Sequence, residues 1–171
     1  DMSIYPEVEI AIDDIVSEAI DTESDKSPVR LGTKNLDLSD GVKNKIVEEF
    51  DNVLRLLNFT RMGYDIFKSW YVDGKLFYHI IIDENKPKDG IKELRKIDPR
   101  LIKKVKQVEK GTDKNKNVLV KNVKEYYLYN EKGLGTADKQ SGIPISKDSI
   151  SHVTSGLRDS RKQHSIGHLH K

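Results

Sequence analysis

Two groups of residues in this sequence have side chains at spacings that could do chemistry. The first is Asp73, Glu84 and Lys86, an acid ahead of an apolar run and a Glu-x-Lys directly after it. In metal-dependent nucleases two carboxylates in this order hold a magnesium ion while the lysine orients water. The context argues against that use. Asp73 adjoins Gly74 in a tight turn, and Pro87 after Lys86 takes the lysine out of any central strand. The second group is His164, His168 and His170, imidazoles at a spacing a metal could use, but without a cysteine or a helix to fix them. The glycine-rich "GLGTADKQSG" is followed by neither a lysine-threonine pair nor a helix start, so it reads as a turn rather than a phosphate loop. There is no nucleophile elbow for serine chemistry. From the residues, therefore, we expect no enzyme, no catalytic group, no metal site and no cofactor.

The elements that would position these residues follow from periodicity. "YPEVEIAIDDIVSEAID" predicts an amphipathic helix: Pro6 suits the first turn, Glu7 and Glu9 favour its positive end, and Val8, Ile12, Ile15, Val16 and Ala19 recur at helical spacing. "DTESDKS" reads as a connection, and "PVRLGTKNLDL" alternates enough to predict a short strand. Ser39 is a suitable N-cap for a second helix striped by Val42, Ile46, Phe50, Val53, Leu54 and Leu57. A third, near Arg61 to Tyr71, places Tyr64, Phe67, Trp70 and Tyr71 on a core face until Asp73-Gly74 stops it.

From Lys75 the period changes to that of a strand. Ile80-Ile81-Ile82 predicts cover on both faces, and "IKELRKID" beyond Pro87-Gly90 predicts its hairpin partner. Pro99 is expected to open one helical turn through Leu101 and Ile102. A strand through Val105 and Val108 follows, then a solvated tip at "EKGTDKNKN" and a strand in which Tyr127 and Tyr129 face away from Tyr126 and Leu128. "IPI" and "SISHVTS" predict two short strands around Lys147-Asp148, and the tail from Gly156 must lean on something or be mobile. The fold class expected is α+β, two to three helices packed on antiparallel strands and hairpins.

At 171 residues, one sizeable core is feasible, and 34% charged residues against 36% hydrophobic imply much solvated surface, or surface covered by a partner. The absence of cysteine excludes a disulfide scaffold and fits a reducing cytoplasm. No run approaches the roughly 18 apolar residues of a membrane span, so a soluble protein without stable membrane insertion is expected. The net charge of +2 conceals a gradient: residues 1–59 hold 14 acidic and 6 basic side chains, residues 86–132 hold 7 and 15. Opposite patches on one chain suit head-to-tail contact between copies, while the basic region alone would suit a nucleic-acid-binding module.

In order, "YDIFKSWYVDGKLFYHIIID", "GIKELRKIDPRLIKKVKQV", "EYYLYN", "SISHVTSGL" and "HLHK" resemble the portal proteins of tailed bacteriophages, most closely the contractile-tailed group, colinearly from about residue 5 to the end. The resemblance rests on the Trp70-Tyr71 pair before Asp73-Gly74, the Ile97-Asp98-Pro99-Arg100 turn and the Ser155-Gly156-Leu157 step. It implies a structural ring, usually dodecameric, assembled in the bacterial host cytoplasm and placed at one capsid vertex of the virion, through which DNA is packaged and ejected. Its implied partners are further copies, major capsid and scaffold proteins and, through parts outside this chain, terminase and neck proteins. It also implies that this segment is the wing: an N-terminal helix and linker over 1–27, an α+β wing domain over 28–157 and a tail over 158–171 leading toward a stem. On the charge gradient, the candidate contact residues are Glu9 and Asp13 on the acidic side and Lys103, Lys104, Lys106 and Lys110 on the basic side.

Overall fold

The structure, a computed structural model, describes residues 2–20, 28–112, 118–134, 142–160 and 164–170. Among these residues it is an α+β fold of three α-helices and two antiparallel three-stranded sheets. The chain divides into two compact units, one comprising Asp1–Lys75 with Thr154–Lys171 and the other Leu76–Val153.

The first unit holds the helices. Helix α1, Pro6–Ala19, starts on the proline and the two glutamates expected of it, and buries Ile12 and Val16 almost completely. Helix α2, Asp40–Leu56, begins after Ser39, whose carbonyl accepts from Val42 and Lys43 although its hydroxyl makes no capping bond. None of the residues in α2 is buried. Asn58, at φ 49°, turns the chain into α3, Phe59–Asp73, and Gly74, at φ 71°, ends it through a bond from its N–H to the Trp70 carbonyl. That left-handed φ strains any residue with a Cβ, so the Asp-Gly stop is read correctly from sequence. The aromatic face of α3 is half-buried rather than core: Tyr64, Phe67, Trp70 and Tyr71 all keep some exposure.

The strand expected over 28–38 does not form. Leu36 N–H bonds back to the Thr33 carbonyl, closing a turn, and Leu31, Leu36 and Leu38 all stay exposed. Alternation alone does not make a strand without a neighbouring edge to hydrogen-bond to.

The second unit holds the sheets. Strand β1, Lys75–Ile82, lies between β2, Ile91–Ile97, and β6, Ile150–Thr154. β1 and β2 pair antiparallel from Phe77 opposite Ile97 to Ile82 opposite Ile91, as the expected hairpin. The burial on β1 is not where it was expected. Leu76, Phe77 and Tyr78 are buried in succession, so both faces are covered there, whereas Ile80 and Ile81 are half-buried and Ile82 is 47% exposed. Cover follows what lies opposite each residue rather than local hydrophobicity: the far end of β1 pairs with the exposed start of β2.

Strands β3, Ile102–Thr112, and β4, Val118–Tyr129, form a long hairpin with Ile102 opposite Tyr129, and β5, Ile143–Ser146, joins the other side of β4. Pro99 opens a turn, Leu101 N–H bonding to the Asp98 carbonyl, but Ile102 is already strand rather than helix. The solvated tip is shorter than expected because Glu109–Thr112 still pair with β4 across a bulge, and 113–117 lie outside the described residues. The two short strands around Lys147-Asp148 enter different sheets, β5 beside β4 and β6 beside β1, with a single 3-10 turn, Lys147–Ser149, between them. A core of Phe77, Ile102, Tyr127 and Ile150 draws on both sheets, with Ile97, Tyr129 and Ile145 packed around it.

Candidate functional site

The residues first considered for nuclease chemistry serve other ends. Asp73 is the last residue of α3, while Glu84 and Lys86 lie exposed in the turn after β1. In that turn Asp83 Oδ1 accepts from the Asn85 N–H at 2.9 Å, and Lys86 N–H bonds to the Asp83 carbonyl. Among the described residues no group of three or more histidine and acidic side chains is placed to hold a metal ion. The tail histidines are put to different uses. His164 and His170 are exposed, and the ring of His168 stacks on Tyr71 at 4.8 Å, nearly parallel, and lies 5.2 Å from the ring of Trp70. The segment 135–141, most of the glycine-rich "GLGTADKQSG", lies outside the described residues.

The acidic candidates on α1 are engaged within the chain. Asp13 Oδ1 accepts from the Tyr64 hydroxyl at 2.7 Å and from Lys68 Nζ at 2.6 Å, and Glu9 lies 3.9 Å from the same lysine. The hydrogen bond from Lys68, then that from Tyr64, holds the Asp13 carboxyl below its usual range, and the same bonds raise the pKa of Lys68 and of Tyr64. These contacts tie α1 to α3. Spacing on α3 gave the signal for it: Tyr64 and Lys68 are four apart and so share a helix face.

The basic candidates fall on β3, an edge strand in the order β3-β4-β5. Edge lysines discourage a further strand from adding on. Lys104 is 2.9 Å from Glu125 across the hairpin, and Lys147 reaches the same carboxylate at 3.1 Å. Hydrogen bonds from these two lysines, Lys104 first, pull the Glu125 pKa down to about 2. Lys106 is exposed, Lys103 half-buried on the opposite face, and Lys110 lies farther along the strand. An open cavity of about 430 Å³ beside the clamp is lined by Val123, Glu125, Ser146, Lys147 and Asp148. Glu125 and Lys147 in its lining already pair with each other, which suits fixing the hairpin against the end of β5 rather than capturing a ligand.

Sequence reasoning missed a histidine that packs against the core. His152 stacks on Phe77 at 4.2 Å, meets Tyr127 edge-on at 6.0 Å, and its Nδ1 is 3.3 Å from the Tyr127 hydroxyl. The one signal in the sequence was its place two residues after Ile150, on the same face of a strand.

What these contacts define is an α+β element in which the Lys68–Asp13 and Lys104–Glu125 pairs tie one secondary-structure element to another and the aromatic rings pack together. Comparison with known proteins narrows that class. The sequence profile of the bacteriophage T4-like portal protein (Gp20) matches residues 1–171, and the chain belongs to that family. It is 39% identical over 160 residues to the portal protein of Vibrio phage KVP40, covering 90% of this chain and 30% of that protein. To the portal protein of Salmonella phage ViI it is 38% identical over 130 residues, covering 75% of this chain and 23% of the relative. The chain thus spans less than a third of the length of either. No helix among the described residues is long and apolar enough to cross a membrane.

Proposed function

We propose that this chain is the wing part of a structural subunit of a portal ring, set at the unique vertex of a phage capsid, where the ring passes DNA inward during packaging and outward at ejection. The observation that carries the reading is the family match along all 171 residues. In it the chain is a passive component without enzymatic activity or cofactor, built in the host cytoplasm and carried in the virion. Its partners are further copies of itself in a dodecameric ring, the major capsid and scaffold proteins and, through other parts of the protein, terminase and neck proteins. Residues 28–157 serve as the wing domain, preceded by the helix and linker of 1–27 and followed by the tail of 158–171.

The charge gradient supports a role for the basic edge in meeting a neighbour. We assign Lys103, Lys104, Lys106 and Lys110 to contact with adjacent copies or capsid partners, opposed by the acidic α1 with Glu9 and Asp13. Electron microscopy of the full-length protein tests the main reading: rings are expected, and a protein that stays monomeric at assembly concentrations overturns it. Reversing Lys103, Lys106 and Lys110 to glutamate is expected to impair ring formation without unfolding the chain, whereas unchanged assembly removes the basic edge from the interface.

A further inference from the structure

The tail was expected either to lean on something or to be mobile, and it leans on the end of α3 in an unusual way. Ser155 N–H bonds to the Gly74 carbonyl at 2.8 Å, and Ser155 Oγ donates to the Ile166 carbonyl at 2.7 Å while accepting from Leu157 N–H at 3.1 Å. Ile166 N–H returns to the Leu157 carbonyl, Asp159 N–H to that of His164, and Arg158 bridges to Ser165, so the segment doubles back on itself. Its backbone then closes on α3. A Cβ at Gly74 would collide with the Ile166 carbonyl, and one at Gly167 with the Val72 carbonyl. His168 completes the contact by stacking on Tyr71 beside Trp70.

The contact is specific but thinly held. Among the described residues of 164–170 only Gly167 is buried, and a glycine has no apolar side chain to withdraw from water. Ile166, His168 and Leu169 keep partial exposure. The Nε2 of His168 is buried without a hydrogen-bond partner among the described residues, so undocking would hydrate a polar group that docking leaves unmet. Segments with few buried apolar contacts open at a small fraction of the free energy of the whole fold. By contrast α1 is held by the buried Ile12, Val16 and Ile20.

We infer that residues 155–160 and 164–170 form a strap that undocks from the C-terminal end of α3 as a unit, uncovering Trp70 and Tyr71 while the helices stay folded. Gly167 is the point at which the backbone of the strap touches the helix, and His168 the stacked lock. The inference is independent of the portal reading, because it concerns only this chain.

Trp70 is the single tryptophan, which makes the strap directly observable. In Gly167→Ala and in His168→Ala, Trp70 emission is expected to shift to the red and amide exchange of 164–170 to quicken at least tenfold, with α1 protection and far-ultraviolet dichroism unchanged. Gly167→Ala removes the close approach and His168→Ala only the stack, so the milder variant still reports if the harsher one fails to fold. Two outcomes overturn the inference. Unchanged emission and exchange in both variants would mean that the strap is not docked on Trp70 in solution, and loss of α1 protection together with the tail in His168→Ala would mean that the tail is integral to the helical unit rather than separable.

Discussion

Helices α1 and α2 carry the same kind of message in their sequences and fare differently in the fold. α2 is the longer and more strongly amphipathic, with Val42, Ile46, Phe50, Val53 and Leu54 along one stripe, yet none of its residues is fully buried. α1, with a weaker pattern, seats Ile12 at 1% exposure and Val16 at 0%, and is tied to α3 through Asp13. An apolar stripe is thus a statement about which side of a helix avoids water, and says nothing about which surface provides the cover. The β3–β4 hairpin repeats the contrast along its length: Ile102 and Tyr127 at its base belong to the core, while the cross-strand pair Val108 and Val123 is exposed.

The test with the largest expected effect breaks the covered side of the comparison. Ile12→Ala deletes three buried heavy atoms next to Val16 and should cost about 2–5 kcal/mol in denaturant unfolding. A loss below about 1 kcal/mol would mean that α1 is no better packed than α2. At the base of the hairpin, Tyr127→Phe keeps the ring against Phe77 and removes only the hydroxyl facing His152. The expected cost is about 1 kcal/mol, as for the loss of one hydrogen bond. Thermal unfolding of the two proteins side by side would show it.

Midway along the hairpin the charges decide. Glu125 has its folded pKa depressed from 4.5 to about 2 by Lys104 and Lys147. A depressed carboxyl contributes stability that is fully present above its unfolded pKa and is lost as pH falls through the folded one, here between about 4.5 and about 2. Carboxyl-carbon NMR should place the Glu125 midpoint near the lower figure, and Lys104→Met should move it upward. A midpoint near 4.5 in the unaltered chain would show that the clamp does not hold in solution.

Much of this fold was legible because its signals are local. Pro6, Gly74 and the switch of period at Lys75 each fix a backbone conformation within a few residues, and α1, the end of α3 and the β1–β2 hairpin appear where those signals put them. What was missed depended on distant residues. Nothing in "PVRLGTKNLDL" announces the turn that Leu36 closes on Thr33 in place of a strand, and nothing in Ile80-Ile81-Ile82 tells that their cover is incomplete. The contact candidates illustrate the same limit. Periodicity could place Glu9 and Asp13 on α1 and Lys104 on a strand, but Lys68 and Glu125, their partners in the fold, lie far along the chain. His152 was passed over because a lone histidine in a short strand has no period of its own, and its worth comes from Phe77 and Tyr127.

The smallest expected effect gives the comparison its sharpest edge. Val42 is 46% exposed and Val53 37%. If the fold of this chain makes little use of the α2 stripe, Val42→Ser and Val53→Ser change side chains that are already well exposed, and helix propensity changes little between the two residue types. Each should alter unfolding free energy by no more than about 0.5 kcal/mol, the range for surface substitutions away from special features. The result bears on function because the same residues read differently in an assembly. Apolar side chains that cost nothing to replace in the isolated chain, but whose replacement weakens association of the full-length protein, would owe their place in the sequence to a partner's surface. A destabilisation above about 1 kcal/mol in the isolated chain would instead return α2 to the intramolecular core and erase its difference from α1.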